Sequence, residues 1–326
     1  MIRAATLKRL AIGAAFVTAA CAAGGVAAQG YPSKPLRVVV PFGAASSTDI
    51  FARTLGKVMA PEFGQPIVVE NMAGAEGFIG SENVARAAPD GHTILFTSSS
   101  THVLNVHLYK KLPYDPFKDY AHITTVASFQ IGMDVKADSP WKTVSDVIAA
   151  AKANPGKLTF GSGSATTRLA GEMFQQMTGV KLLHVPYKTL AAAVTDLAGG
   201  QIDLVWVDLP TTRPGLQSGR LRVIASTGDK RMGALPNVPT IAESGVPGYQ
   251  FNGWWGVFAP AGTPPAIVQR LEAMISKGMK TESVAEFLKN GALDLFLTPT
   301  AEFVKFHQAD VERWGKVIKA AGMEPQ

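Results

Sequence analysis

The 326-residue chain has a single cysteine, Cys21. With no second thiol there is no disulfide framework, and a thiolate zinc site is excluded with it. The six histidines (His92, His102, His107, His122, His184 and His307) have no metal-ligand spacing, and no HExxH occurs. No metal is therefore expected. No GxxxxGK[ST] loop is present to cradle a nucleotide's phosphates. Gly161-x-Gly163 lacks the third glycine of a dinucleotide fingerprint, because position 166 is Thr. The serines of Gly161-Ser162-Gly163-Ser164 stand in the wrong slots for a G-x-S-x-G elbow. Basic runs interleaved with aromatics are missing too, so nothing points to nucleic acid. No segment after the N-terminus approaches about 18 unbroken apolar residues, the length that a membrane-spanning helix needs. These absences argue against an enzyme, against a bound cofactor and against a membrane-embedded mature chain.

The N-terminus, by contrast, has a pattern. Arg3, Lys8 and Arg9 precede the short apolar run Leu10–Ala20, and Val26-Ala27-Ala28 fits a cleavage site before Gln29, so residues 1–28 are expected to be an export signal. This segment carries three basic and no acidic residues, and its removal lowers the formal net charge from +6 to +3. Thr18-Ala19-Ala20-Cys21 has a faint likeness to a lipoprotein box, with Thr18 where an aliphatic residue usually stands. An exported chain without disulfides relies on its core, and about 298 residues are enough to bury one or two.

Strand and helix patterns alternate through the rest, which predicts an α/β fold with mostly parallel sheets. The stretch Arg37–Arg53 is the clearest unit. A short β-branched run (Val38–Val40) stops at Pro41 and Gly43; Ser46, Ser47, Thr48 and Asp49 follow, and Ile50, Phe51, Leu55, Val58 and Met59 then recur at helical spacing. Any of the four polar residues can cap that helix. The same order of strand, loop of small residues and helix returns from Val68 and at Leu158–Thr178, and the strand over 93–96 also ends in a loop of small residues, Thr97–Thr101. A strand over 202–207 ends on Asp208, which either caps a following turn or faces a cleft. In open α/β sheets, ligands bind at the carboxyl ends of strands, and helix starts favour anions there. Several of these loops therefore read as one anion site. Asp49 reads as a helix-start residue, His184 as a core or supporting histidine, Trp254 and Trp255 as core or interface residues, and Glu76 as solvent-exposed. Arg168, in a helix's first turn, is placed to meet an anion or an interlobe partner.

Five stretches together are similar to a known family. They are Tyr31-Pro32-x-Lys34-Pro35-Leu36-Arg37 with Pro41-Phe42 and Thr48-Asp49; Val68-Val69-Glu70-Asn71 with Gly74-Ala75-x-Gly77; Ala88-Pro89-Asp90-Gly91; His184-Val185-Pro186-Tyr187-Lys188 with Asp196-Leu197-x-Gly199-Gly200-Gln201-Ile202-Asp203; and Ala259-Pro260-x-Gly262-Thr263-Pro264. The chain resembles the Bug-type periplasmic solute-binding receptors of tripartite tricarboxylate transporters. The resemblance implies a two-lobed, type II periplasmic-binding-protein ("Venus flytrap") fold: residues 29–130 and 246–326 in lobe 1, residues 131–245 in lobe 2. It implies a monomer in the periplasm that captures a small di-, tri- or aromatic carboxylate and passes it to membrane permease subunits. A sensor presenting the ligand to a membrane signalling partner is the alternative. Carried over, the ligand-binding residues are Gly43, Ala45, Ser46, Ser47, Thr48, Ala75, Phe78, Thr97, Ser98, Ser162, Ser164, Thr166 and Asp208. Two loops depart from the family pattern. Ala45 and Ser46 stand where paired glycines are usual. Met72 and Ala73 replace an Arg-Pro, and Glu76 replaces a glycine, which removes a cation and adds an anion.

Overall fold

The computed structural model describes residues 30–320 and 322–325. The expected signal segment 1–28, with Cys21, lies outside the described residues.

Two sheets organise the chain. The first takes β1 (Leu36–Val40), β2 (Ile67–Asn71), β3 (Thr93–Ser98), β4 (Tyr120–Phe129), β10 (Gly253–Pro260) and β11 (Leu293–Leu295), in the order β11-β4-β10-β3-β1-β2. The second takes β5 (Gly132–Lys136), β6 (Thr159–Ser162), β7 (Leu183–Pro186), β8 (Leu204–Val207) and β9 (Leu221–Ser226), in the order β7-β6-β8-β5-β9. Strands β1–β3 and β6–β8 pair in parallel, as their strand–loop–helix units predict. The sheets are mixed rather than mostly parallel, because β10, β11 and β5 pair antiparallel to their neighbours. For β5 and β10 the physical reason is the crossing between lobes. β4 leaves the first sheet and the chain re-enters the second as β5; β9 leaves the second and returns as β10 into the middle of the first. A strand that arrives from the other lobe has no crossover helix to turn it parallel.

The two crossings are laced to each other. Thr227 N donates to Ile131 O (2.9 Å) and Ile131 N donates to Thr227 Oγ1 (3.0 Å). The Thr227 hydroxyl donates in turn to Phe251 O (2.8 Å), and Gly228 N donates to Gln130 Oε1 (3.1 Å). One buried threonine thus ties both connections where they pass.

Helices cover the sheets: α1 (Ser47–Phe63), α2 (Phe78–Ala85), α3 (Asn105–Leu108), α4 (Val144–Ala153), α5 (Ala165–Thr178), α6 (Leu190–Gly199), α7 (Leu209–Gln217), α8 (Pro265–Gly278), α9 (Glu282–Gly291) and α10 (Thr300–Ala320). The C-terminal helices return to the first lobe. α10 fixes there through Trp254 Nε1, which donates to Asp310 Oδ2 (2.8 Å), and through His307, buried against His122 and Phe258. α7 is not apparent from periodicity, because Pro210 and Pro214 interrupt its sequence; Pro210 sits in the first turn, where its missing N–H is no loss.

Candidate functional site

Four helices begin at one place. The N-cap of α1 is Ser46, that of α5 is Ser164, that of α6 is Thr189 and that of α7 is Asp208. Each side-chain oxygen accepts a backbone N–H of its own first turn: Asp49 N, Thr167 N, Ala192 N and Thr211 N respectively. All four caps line a single cavity between the lobes, together with Ser47, Thr48, Ser98, Thr166 and Thr167. Every one of these helices has its positive dipole end at this wall, and a wall rich in hydroxyl donors surrounds it. The rest of the lining is apolar: Phe42, Phe129, Ile131, Leu190 and Trp255. Phe129 and Trp255 pack with ring centroids 4.2 Å apart.

The lobes meet through the helix starts themselves. Ser47 N on α1 donates to Thr211 Oγ1 on α7 (3.1 Å), and Ala165 N on α5 donates to Ser100 Oγ beyond β3 (3.1 Å). Farther out, the Arg213 guanidinium donates to Asn290 O, and Lys230 faces Asp294 at 3.7 Å. Gly43 approaches so closely that a Cβ there would lie 2.5 Å from Thr189 Cγ2 of the other lobe. Gly163 passes the start of α6, where a Cβ would stand 2.3 Å from Leu190 N. The space left between the helix starts in this arrangement is about 40 Å³, room for a few waters.

Side chains at the wall have different tasks. Thr166 Oγ1 is buried without a hydrogen-bond partner among the described residues, a donor aimed into a cavity. The Thr48 hydroxyl accepts from Trp255 Nε1 (2.9 Å), so it sets the indole's position. Asp49 turns away from the cavity, as a helix-start residue: it accepts from Ala45 N (3.0 Å) and from Arg53 Nε (2.8 Å). Asp208 is buried; Thr211 N donates to its Oδ1 (3.0 Å) and the Ser47 hydroxyl also bonds it. Burial pushes its carboxyl up from the ordinary range, against those donors. Asp208 both caps a helix and faces the cleft.

The structure brings Gly43, Ser46, Ser47, Thr48, Ser98, Ser164, Thr166 and Asp208 together at the cavity. Ala45, Ala75, Phe78, Thr97 and Ser162 lie outside its wall. Ala45 takes a left-handed turn (φ 61°) that brings its N–H to Asp49. Phe78 packs on the Tyr109 and Tyr114 rings. Thr97 bonds the Thr101 hydroxyl (2.8 Å), and Ser162 bonds His184 Nε2 (2.7 Å). The histidine supports a strand end, and burial holds its pKa down at about 4. Glu76 is half-buried rather than solvent-exposed, and the Arg168 charge acts on it from the other lobe. Burial raises its carboxyl pKa, and Arg168 offsets part of that. Its loop holds Gly74, Ala75, Glu76 and Gly77 all at positive φ, a local strain of the kind found at working sites. Sequence reasoning missed Thr189, Phe129 and Trp255 as wall residues. A hydroxyl just before a helix pattern marks Thr189; no local signal marks the two rings.

Two α/β lobes on paired crossings, closing over a cavity of helix starts, define a two-lobed solute-binding protein. The family model described as "Tripartite tricarboxylate transporter family receptor" (TctC) matches residues 51–323, and the chain belongs to this family as a Bug-type receptor. Protein BugT of Bordetella pertussis is 33% identical over 319 residues, covering 97% of this chain and 98% of BugT. The periplasmic binding protein BugD superposes with a TM-score of 0.87 at 33% identity, covering 91% of this chain and 100% of BugD. Rpa4515 of R. palustris, solved with adipate, gives the same TM-score and identity, with 91% of this chain and 100% of that one covered.

Proposed function

We propose that this protein is an exported, periplasmic receptor that captures a small carboxylate between its lobes and delivers it to the permease subunits of a tripartite tricarboxylate-type transporter. The observation that carries the reading is the convergence of four helix N-caps on one interlobe cavity. Partial positive charge at each helix start, together with hydroxyl donors, stabilises a carboxylate without a cationic side chain in the wall. The ligand of the adipate-bound relative is a carboxylate, which agrees. Lobe 1 is taken as residues 29–130 and 246–326 and lobe 2 as 131–245, with closure about the laced crossings.

A thermal-shift screen of aliphatic and aromatic mono-, di- and tricarboxylates tests the capture step, since a ligand that binds only the folded state raises its apparent stability by mass action. At least one carboxylate is expected to raise Tm, and the same compound is recovered unchanged after incubation. A screen in which no carboxylate shifts Tm, or in which product accumulates, overturns the reading. Delivery is tested by ligand uptake in cells with and without the receptor gene and its neighbouring permease genes; uptake that survives loss of the receptor rejects it.

A further inference from the structure

The cavity wall has two unlike ends. At one, α5 and α6 begin with the neutral caps Ser164 and Thr189, and the buried Thr166 hydroxyl has no partner among the described residues. That end attracts an anion. At the other, α7 begins with Asp208, and α1 has already closed on it: Ser47 N donates to Thr211 Oγ1 (3.1 Å), and the Ser47 side chain stands beside the Asp208 carboxyl. Among the described residues that line the cavity Asp208 is the one that carries a charge, and it is an acid in what is otherwise an anion site.

An acid there acts on the ligand in one of two ways. It repels a second carboxylate, or it accepts from a donor. The Thr211 N–H already donates to Asp208 Oδ1 (3.0 Å), and the neighbouring Ser47 and Thr211 hydroxyls favour its carboxylate form, so Asp208 stands as an acceptor. The guanidinium in the first turn of α5 offers no relief. The Arg168 charge acts on both Glu76 and Glu172, so protein carboxylates already compensate it. The Phe129 and Trp255 rings line the same cavity and suit an apolar body.

We infer that the ligand is a monocarboxylate with an apolar body and a hydrogen-bond donor, hydroxyl or amine, at its far end, and that Asp208 selects it over dicarboxylates. This rests on the carboxylate-receptor reading and narrows it, and it sets this chain apart from the adipate-bound relative.

The test is calorimetric titration of the full mature chain with two matched sets. One is hexanoate, 6-hydroxyhexanoate, 6-aminohexanoate, adipate and 6-amino-1-hexanol; the other is benzoate, 4-hydroxybenzoate, 4-aminobenzoate, terephthalate and 4-aminobenzyl alcohol. In at least one set the hydroxy or amino acid is expected to bind at least tenfold tighter than the diacid. Asp208→Asn keeps a good helix cap and is expected to shrink that ratio to about threefold or less. Asp208→Ser is a second capped variant, for which the same loss is expected. A diacid that binds as well as the donor-bearing acids, or a ratio unchanged in both variants, overturns the inference and leaves the carboxylate reading standing. Binding of the amino alcohols without any carboxylate, or no binding in either set, overturns both.

Discussion

Thr166 is the most exposed to test of the wall's single residues. Its hydroxyl is buried and has no hydrogen-bond partner among the described residues, so the folded chain gains nothing from it there. Thr166→Val keeps the shape and removes the donor. We expect ligand affinity to fall on the order of tenfold or more, the worth of one hydrogen bond to a charged group, while Tm of the unliganded protein holds or rises. Titration calorimetry beside a thermal melt reads both; affinity equal to wild type would take Thr166 out of the site. Thr48 contrasts with it. Its oxygen accepts from Trp255, and Thr48→Ala would strand a buried indole N–H, at a loss of about 1–3 kcal/mol in urea unfolding. Asp134, fully buried on β5, accepts from Thr212 Oγ1 (2.5 Å), and burial pushes its carboxyl up to about 8. In the unfolded chain it ionises near 3.9. The raised pKa therefore contributes stability that is full below about 4 and is lost as pH rises through 8. The buried histidines run the other way. Burial holds His122 at about 3 and His307 at about 4, so their contribution is full above about 6.5 and is lost as pH falls through 4. Between pH 6.5 and 8.5, of these three groups only Asp134 titrates in the folded chain, and the last half-proton of each unfolded histidine offsets a minor part of its effect. Unfolding free energy is expected to fall there by about 1–2 kcal/mol, and Asp134→Asn is expected to flatten the slope. A slope that persists in the variant would contradict the assignment.

At the scale of elements, the helix starts decide whether the cleft closes. Gly43 precedes α1 and Thr189 caps α6, on opposite lobes, with no room for a Cβ between them. Gly43→Ala is expected to hold the lobes apart by the width of a methyl group. Ligand affinity should drop on the order of tenfold, or about 1.4 kcal/mol, with the unfolding midpoint of the free protein nearly unchanged. Thr189→Ser removes the methyl that Gly43 faces, and the double variant is expected to recover part of the affinity. Independent, additive effects would show that the two residues do not meet in the bound state.

These elements were legible from sequence to unequal degrees. β1, its loop and α1 follow from a β-branched run, a Pro-Gly stop and a helical period, all within one short stretch. α7 was hidden because Pro210 and Pro214 break the pattern that marks a helix. The antiparallel strands were hidden because β10 pairs with β3 and β4 from far along the chain, and no local period encodes such a partner. For the same reason the sequence marked Ser46, Ser164 and Thr166 but not Trp255, which reaches the wall by bonding Thr48 across 207 positions. Glu76 looked exposed, because its burial comes from the folded chain around its loop and the charge that acts on it, Arg168, lies 92 positions away on the other lobe.

For the whole molecule, the interlobe bonds from Ser47 and Ala165 and the small space between the helix starts describe a closed clasp. We expect a ligand to enter by opening about the paired crossings, where Ile131 and Thr227 bond each other. Thr227→Val would remove a hydroxyl that both accepts from Ile131 N and donates to Phe251 O. We expect it to lower stability by about 1–3 kcal/mol and to widen the distribution of lobe angles, seen by small-angle scattering as a larger mean radius of gyration without ligand. A radius equal to wild type would place the hinge elsewhere.

The central claim is that helix starts and hydroxyls hold a carboxylate. Its most direct test is calorimetric titration with the best carboxylate from the screen and with that compound's primary amide, which keeps shape but loses the charge. The account predicts that the acid binds and that the amide binds at least a hundredfold more weakly; equal affinity for the two would contradict it.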